Sequence, residues 1–277
     1  MNRGAIIPRV ELDRPRLRAV LLLAVALSWA VFGAYDGHLD WPASSGAASS
    51  ALRSGSAAFW GNPGAVSTEE WSSSVFVDRE WGLAELTTIS LSAVRGFSFG
   101  DLSAGGSYFG SRELYSETVF GIGYSRKLWR INSGARLSVV SAAGGDWKAS
   151  APIVSLGAVV PAGELAELHL WADNISASKL DGSALPIRGA VGAVFKPTGW
   201  ARLVCDIYSQ SPNPSSVRFG QEVFIFKTLK LRCGVAFRPN TYHLGLGLRA
   251  GDFQFDWAYI GHPELGGSSQ LGLVYER

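Results

Sequence analysis

The side chains with the widest chemical range in this sequence are four histidines and two cysteines. The histidines are scattered, without the spacing of metal ligands: His38, His169, His243 and His262. Two of them, His169 and His243, fall on the inward faces of predicted strands, and neither belongs to a Ser-His-Asp arrangement. We therefore assign no catalytic residue and expect neither a metal nor a cofactor.

Three short patterns imitate sites without the context that a site needs. The run D-G-H-L-D at positions 36–40 could hold a metal, but a solvated, flexible terminus explains it better. The G-x-G-x-x-A run at 245–250 resembles a dinucleotide loop, yet it lies in an alternating strand and opens no helix. Cys205 and Cys233 could form a disulfide in an oxidising compartment, whereas two small apolar side chains facing lipid are the better interpretation.

The composition indicates a surface that does not all face water. Of the 277 residues, 47% are hydrophobic and only 17% are charged, where a soluble domain has about 25% charged residues. After the first forty residues no apolar run approaches the roughly 20 residues that a membrane-spanning helix needs. A β-barrel is the remaining structure that can cross a bilayer.

Residues 1–33 are predicted to be a signal peptide. A region with five arginines precedes a fourteen-residue apolar core at 19–32, and small residues allow cleavage after Ala30 or Gly33. The alternative is an anchor helix that is never removed. Cleavage takes away five of the 25 basic and two of the 23 acidic residues, which leaves a net charge of −1. No basic patch survives, so no nucleic-acid partner is expected.

Apolar residues alternate with small or polar ones over most of the chain, and most sharply near its end. In the run L-K-L-R-C-G-V-A-F at 229–237, every odd position is large or apolar and every even position is Lys, Arg, Gly or Ala. The same period of two recurs at 242–248, 253–259 and 271–275. This period predicts strands with one dry face.

The spacing of these segments predicts how the strands are arranged. About fourteen segments lie within the 207 residues from Trp71 to Arg277, which gives roughly fifteen residues for each strand and its turn, and a spanning strand needs about 9–11. Such spacing indicates short connections and an up-and-down meander that closes on itself. The predicted fold is all-β: a transmembrane antiparallel barrel of about 14 strands over residues 71–277.

The residue types on the two faces predict which face is outside. Large aliphatic and aromatic residues suit a lipid-facing band, and the Gly, Ser, Ala and Thr of the other face suit an inner wall. Aromatic residues near strand ends suit an interfacial girdle: Trp71, Trp81, Trp129, Trp200 and Tyr242. The alternative is a soluble, secreted β-sandwich with a structural or adhesin-like role.

The segment before the first strand, residues 34–70, does not alternate. It begins with a Ser/Ala/Gly-rich stretch that alone resembles a flexible linker, and continues as F-W-G-N-P-G-A at 59–65. Asn-Pro-Gly favours a turn, because proline fixes φ and glycine accepts a positive φ. The neighbouring Phe59 and Trp60 require burial, which a free linker would not provide.

This run resembles the A-x-F-W-N-P-A-G-L-A segment of the FadL-type outer-membrane transporters and their PorV/PorQ relatives. The matching residues are Ala58, Phe59, Trp60, Asn62, Pro63 and Gly64, with Gly61 inserted. The hairpins at 229–260 are also similar in pattern to the C-terminal hairpins of PorV/PorQ proteins. The resemblance implies that residues 34–70 form a hatch in the lumen, built on Phe59, Trp60, Asn62, Pro63 and Gly64.

The same resemblance implies a non-catalytic barrel that is exported to the bacterial outer membrane, with membrane lipid around it. A PorV-like protein has a role in protein export of the type IX kind, with secretion-system components as partners. A FadL-like protein passively transports a hydrophobic small molecule. We favour the first, because the connections are compact and a FadL-type transporter usually has longer extracellular segments.

Overall fold

The structure is a computed structural model that describes residues 55–111 and 115–277. The predicted signal peptide, residues 34–54 and the pattern at 36–40 lie outside the described residues. The strands of the described part are β1 Trp71–Arg79, β2 Thr87–Phe97, β3 Gly100–Ser111, β4 Tyr115–Leu128, β5 Ile131–Gly144, β6 Trp147–Pro161, β7 Ala166–Asp173, β8 Lys179–Leu180, β9 Ser183–Ala184, β10 Arg188–Thr198, β11 Ala201–Gln210, β12 Ser216–Phe226, β13 Leu229–Phe237, β14 Thr241–Ala250, β15 Phe253–His262 and β16 Gly266–Glu276.

Fourteen of these strands form one closed antiparallel barrel, in which almost every strand pairs with its neighbours in sequence. The two exceptions are the β7–β10 pair, which skips the small β8–β9 hairpin, and the β1–β16 pair, which closes the barrel. The predicted up-and-down barrel of 14 strands is confirmed, and the alternative of a β-sandwich is wrong. None of the helices in the described ranges is long and apolar enough to span a bilayer.

The two ends of the barrel differ in their connections. At one end, which we call the terminal end, Trp71 N donates to Arg277 O over 3.2 Å and Arg277 N donates to Trp71 O over 2.9 Å. The connections at this end are residues 98–99, 129–130, 162–165, 199–200, 227–228 and 251–252. The opposite, loop end has short connections too, but it also carries the three longest ones, residues 80–86, 211–215 and 174–187, and the last of these contains β8 and β9.

The orientation of the faces is the one predicted from the alternation. On β15 the side chains of Phe255 and Trp257 are 54% and 42% exposed on the outside, whereas those of Asp256 and Ala258 are buried inside. Large apolar residues cover the outer wall and small or polar ones the inner wall because the backbone turns alternate residues to opposite faces. This outer apolar band is typical of barrels that span a membrane.

Both cysteines are free and lie in outward positions on strands that β12 separates. The aromatic residues proposed for a girdle occupy the two rims of the barrel. Trp71, Trp129 and Trp200 lie at the terminal end, whereas Trp81 and Tyr242 lie towards the loop end.

An arginine in the middle of the apolar band tests whether this face contacts lipid. Leu271, which is 62% exposed near the middle of β16, faces outward. We expect Leu271→Arg to lower the free energy of unfolding in lipid vesicles by about 2–4 kcal/mol, because an arginine at the bilayer midplane is desolvated. Leu271→Met is the matched control, with little expected change. A Leu271→Arg barrel as stable as the wild type would mean that this face contacts water.

Candidate functional site

Residues 55–66, which we call the lumenal segment, lie inside the barrel. They form two short 3₁₀ helices, Gly55–Trp60 and Pro63–Ala65, that pack on the inner wall. Phe59 and Trp60 are almost fully buried and meet edge to face, with ring centroids 4.8 Å apart. Their burial supplies the apolar contact that a free linker would lack.

The inner wall receives the lumenal segment at positions without side chains. A Cβ atom on Gly105 would lie 2.6 Å from Phe59 Cε1. A Cβ on Gly134 would overlap Pro63 O, and one on Gly157 would overlap Asn62 Oδ1. Real Cβ atoms do not approach other atoms this closely, so these glycines on β3, β5 and β6 form a groove that fits the segment.

The Asn-Pro-Gly run has a specific role in this fit. Asn62 Oδ1 accepts from Gly64 N over 2.9 Å and so caps the second short helix, in which proline occupies the first position. Asn62 Nδ2 donates to Ala158 O on β6 over 3.1 Å. Asn62 thus joins the turn to the barrel wall while Pro63 fixes the backbone.

Serines of the inner wall hold the two ends of the lumenal segment. Ser92 Oγ donates to Ser56 O over 2.8 Å, and Ser56 N donates to Ser72 Oγ over 3.2 Å. At the other end, Ser125 Oγ donates to Val66 O over 2.6 Å. The small polar residues of the inner face therefore satisfy the backbone of an irregular segment that would otherwise be buried without partners.

A buried charged group, which we call the arginine cluster, holds the middle of the segment. It consists of Arg136, Ser155, Asp173 and Arg188, and all four are buried. Arg136 donates through Nη1 to Phe59 O, and through Nη2 to Asp173 Oδ1 over 2.9 Å. Asp173 also accepts from Arg188 Nη2 and Ser155 Oγ. Two guanidinium groups therefore share one carboxylate, which agrees with the rule that buried charges are paired.

Arg136 also contacts the aromatic rings of the lumenal segment. Its guanidinium carbon lies 5.4 Å from the Phe59 ring centroid and 5.9 Å from that of Trp60, within the range of cation–π attraction. The alternation places Arg136 on the inward face of its strand but gives no indication of this role.

Above the lumenal segment, the inner faces of β5 and β6 are mostly apolar, and Ser138, the strand partner of Ile153, is the buried polar residue among them. Going from the segment to the loop end, Ile153 is followed by the pair Val140 and Ala151, and then by Ala142. Leu180 of the β8–β9 hairpin packs against this cluster at the loop end. We call this surface the apolar column; Phe59 and Trp60 belong to the same buried cluster.

The inner faces of β11 to β15 are ionic instead. Arg232 donates to Glu222 over 2.8 Å and to Asp256 over 2.7 Å, and Arg202 Nη1 lies 3.2 Å from Glu222 Oε1. The barrel interior therefore has the apolar column and the arginine cluster on the side where the lumenal segment docks, and a second group of ion pairs on β11 to β15.

The three histidines within the described residues, His169, His243 and His262, do not gather into a site. His169 and His243 are buried on the inner faces of β7 and β14, and His243 Nε2 lies 2.7 Å from Thr241 Oγ1. The G-x-G-x-x-A run lies within β14. In residues 55–111 and 115–277, no three His, Cys, Asp or Glu side chains come together as metal ligands would.

Solved outer-membrane channels share this fold. The toluene transporter TodX of Pseudomonas putida superposes with a TM-score of 0.60 at 10% sequence identity, over 79% of this chain and 92% of that one. A FadL homologue of Pseudomonas aeruginosa gives a TM-score of 0.58 at 11% identity, over 82% and 95% of the two chains. No protein-family model matches the sequence, and a sequence search of curated proteins finds no match. At these identities the likeness shows the fold alone.

Proposed function

We propose that this protein lies in the bacterial outer membrane and passively transports a small hydrophobic molecule along the apolar column. The observation that carries the proposal is the apolar column itself, which runs from Leu180 at the loop end to the aromatic pair of the lumenal segment. The lumenal segment, with Phe59, Trp60, Asn62, Pro63 and Gly64, acts as the hatch.

The chemistry of the inner wall supports this choice of solute. A water-filled pore has a polar wall, whereas most side chains of the column are those of alanine, valine, isoleucine and leucine, and Ser138 beside Ile153 is polar. A hydrophobic solute in contact with them loses unfavourable contact with water, which stabilises it by about 25 cal/mol for each Å² buried. The ion pairs of β12, β13 and β15 offer no such contact, since their guanidinium and carboxylate groups pair with each other.

The structural neighbours also support transport of a hydrophobic solute. TodX is described as a toluene transporter and, in a deletion variant, as a monoaromatic hydrocarbon channel. The variant superposes with a TM-score of 0.60 over 79% of this chain, at 12% identity.

Uptake of labelled toluene tests the proposal. In a host that lacks its own carrier for this probe, the wild-type protein is expected to raise the initial rate of uptake. Val140 is fully buried in the column, so Val140→Phe should fill the column and reduce the protein-dependent rate several-fold. Val139→Phe is the matched control, because Val139 is the neighbouring residue and its side chain faces outward.

Barrel folding is checked first by heat-modifiable migration of each variant in an outer-membrane extract. Equal uptake by the two folded variants would contradict passage along the column. Failure of the wild-type protein to reach the outer-membrane fraction would contradict the proposed location.

Protein export of the PorV kind is a second candidate. The short connections support it, because most of those at the loop end, residues 174–187 apart, offer little surface to capture a small ligand. Deletion of the gene separates the two candidates. Loss of a secreted protein from the medium with unchanged toluene uptake would favour export, and the opposite result would favour transport.

A further inference from the structure

The longest connection of the described part begins and ends at the arginine cluster. Residues 174–187 follow Asp173, the last residue of β7, and precede Arg188, the first residue of β10. Asp173 and Arg188 are partners in the sheet register, and their side chains form an ion pair. The loop therefore begins at the carboxylate that pairs with Arg136 and ends at the second arginine that shares this carboxylate.

The loop is seated on the barrel by specific contacts. Leu180 is buried in the apolar cluster, and Trp147 Nε1 donates to Asp181 Oδ2 over 2.7 Å. Ile175 N donates to Val154 O of β6 over 3.0 Å, and within the loop itself Asn174 Nδ2 donates to Leu185 O over 3.0 Å. These contacts fix the position of the loop over the loop end of the apolar column.

A short series of hydrogen bonds joins the base of this loop to the lumenal segment. Asp173 binds Arg136 through Oδ1, and Arg136 donates to Phe59 O. The side chain of Arg136 thus connects Asp173, where the loop begins, to the backbone of the lumenal segment. Arg136 depends on Asp173, because Arg188 is a second cation in the same buried group.

We propose that the loop at 174–187 controls release of the lumenal segment through Asp173 and Arg136. When a solute displaces Leu180 from the column, the loop loses its contact with the apolar cluster, and Asp173, to which the loop is joined, moves away from Arg136. Arg136 is then left beside Arg188 without its carboxylate, and it withdraws from Phe59 O. The inference rests on the proposed function for the identity of the solute, but the coupling itself is a property of the protein alone.

A rigid brace is the competing interpretation. In that case the loop and Arg136 would each stabilise the barrel, and their effects on the segment would be independent. Coupled residues give non-additive effects, whereas independent ones give additive effects. A double-mutant cycle therefore distinguishes the two.

The experiment measures how fast a membrane-impermeant maleimide labels Ala65→Cys, a buried position of the lumenal segment. Both native cysteines are replaced by alanine, and the purified full-length protein is kept in detergent. Leu180→Ser is expected to raise the labelling rate at least tenfold. The control is Leu265→Ser, at an exposed leucine in a turn of the same end, and should leave the rate unchanged.

The same loop substitution is then repeated in an Arg136→Met background. Labelling there should already be fast, and Leu180→Ser should change it less than twofold. The same tenfold factor in both backgrounds, or no effect of Leu180→Ser at all, would overturn the coupling. If Leu180→Ser fails to fold, Asp181→Ala replaces it, since this exposed residue loses only its bond to Trp147.

Labelling and transport have separate readouts. A coupled segment in a protein that does not raise toluene uptake would contradict the proposed transport and retain the coupling. Normal toluene uptake with additive effects on the labelling rate would contradict the coupling and retain the proposed transport.

Discussion

Valine in place of Gly157 is expected to displace the lumenal segment from the barrel wall while the barrel remains closed. A Cβ at this position would overlap Asn62 Oδ1 and would lie 2.9 Å from Gly64 N and 2.9 Å from Pro63 Cδ. The Asn-Pro-Gly turn lies directly against this strand, because Gly64 approaches Ala158 Cα so closely that a Cβ there would lie 2.6 Å away. The clash therefore acts on the whole turn.

The expected readout of Gly157→Val is permeability. With the turn displaced, cells should become at least tenfold more sensitive to a large hydrophilic antibiotic such as vancomycin. The strand itself should tolerate the change, because valine has a high β propensity. Heat-modifiable migration of the variant checks that the barrel has closed.

Gly106→Val is the matched control for this substitution. Gly106 is also a strand glycine, on β3, but a Cβ there would meet only Val119 O, at 3.7 Å, which is an ordinary contact. Unchanged sensitivity is expected for it. If Gly157→Val gives a closed barrel with wild-type sensitivity, the lumenal segment does not limit passage through the lumen, and its role as a hatch is refuted.

The period of two made the barrel predictable from the sequence. On β13 the alternating run at 229–237 and the observed strand Leu229–Phe237 have the same bounds. The number of strands could also be predicted from the sequence, because most turns are short and add little to the spacing of the alternating segments. The outward face could be recognised since Phe255 and Trp257 alternate with residues too small or too polar for lipid.

The contacts of the lumenal segment could not be predicted in the same way. Phe59 and Trp60 indicate burial, but Asn62 bonds to Ala158, which is 96 positions away in the sequence. Nothing local distinguishes Gly134 or Gly157 from other small residues of the inner wall. Which strands face the segment depends on the closure of the whole barrel.

The arginine cluster and the long loop were missed for related reasons. Arg136 alternates like any inward residue, and only the fold brings it to Asp173 and Phe59. The expectation of uniformly short connections is wrong at 174–187, which joins β7 to β10 and contains the small β8–β9 hairpin. The turn-forming residues Asp181, Gly182 and Pro186 were the signal available for this loop.

The arginine cluster leads to the largest expected change in stability, which is that of Asp173→Ala. This substitution leaves Arg136 and Arg188 buried together without a counter-charge, and breaking a buried pair in this way costs about 3–5 kcal/mol. The free energy of unfolding in lipid vesicles measures the loss. Asp181→Ala removes an exposed carboxylate from the adjoining loop and should change stability by no more than about 0.5 kcal/mol.

A second substitution separates electrostatic repulsion from lost packing. Arg136→Met in the Asp173→Ala background removes one of the two unpaired cations and keeps most of the side-chain volume. The double variant should therefore be more stable than Asp173→Ala alone, a non-additive result that lost packing would not give. If Arg136→Met lowers the stability of Asp173→Ala further, or if Asp173→Ala costs less than about 1 kcal/mol, the cluster behaves as a solvated surface pair. Arg136 would then hold Phe59 by its hydrogen bond alone, and the charge of Asp173 would have no part in keeping the lumenal segment in place.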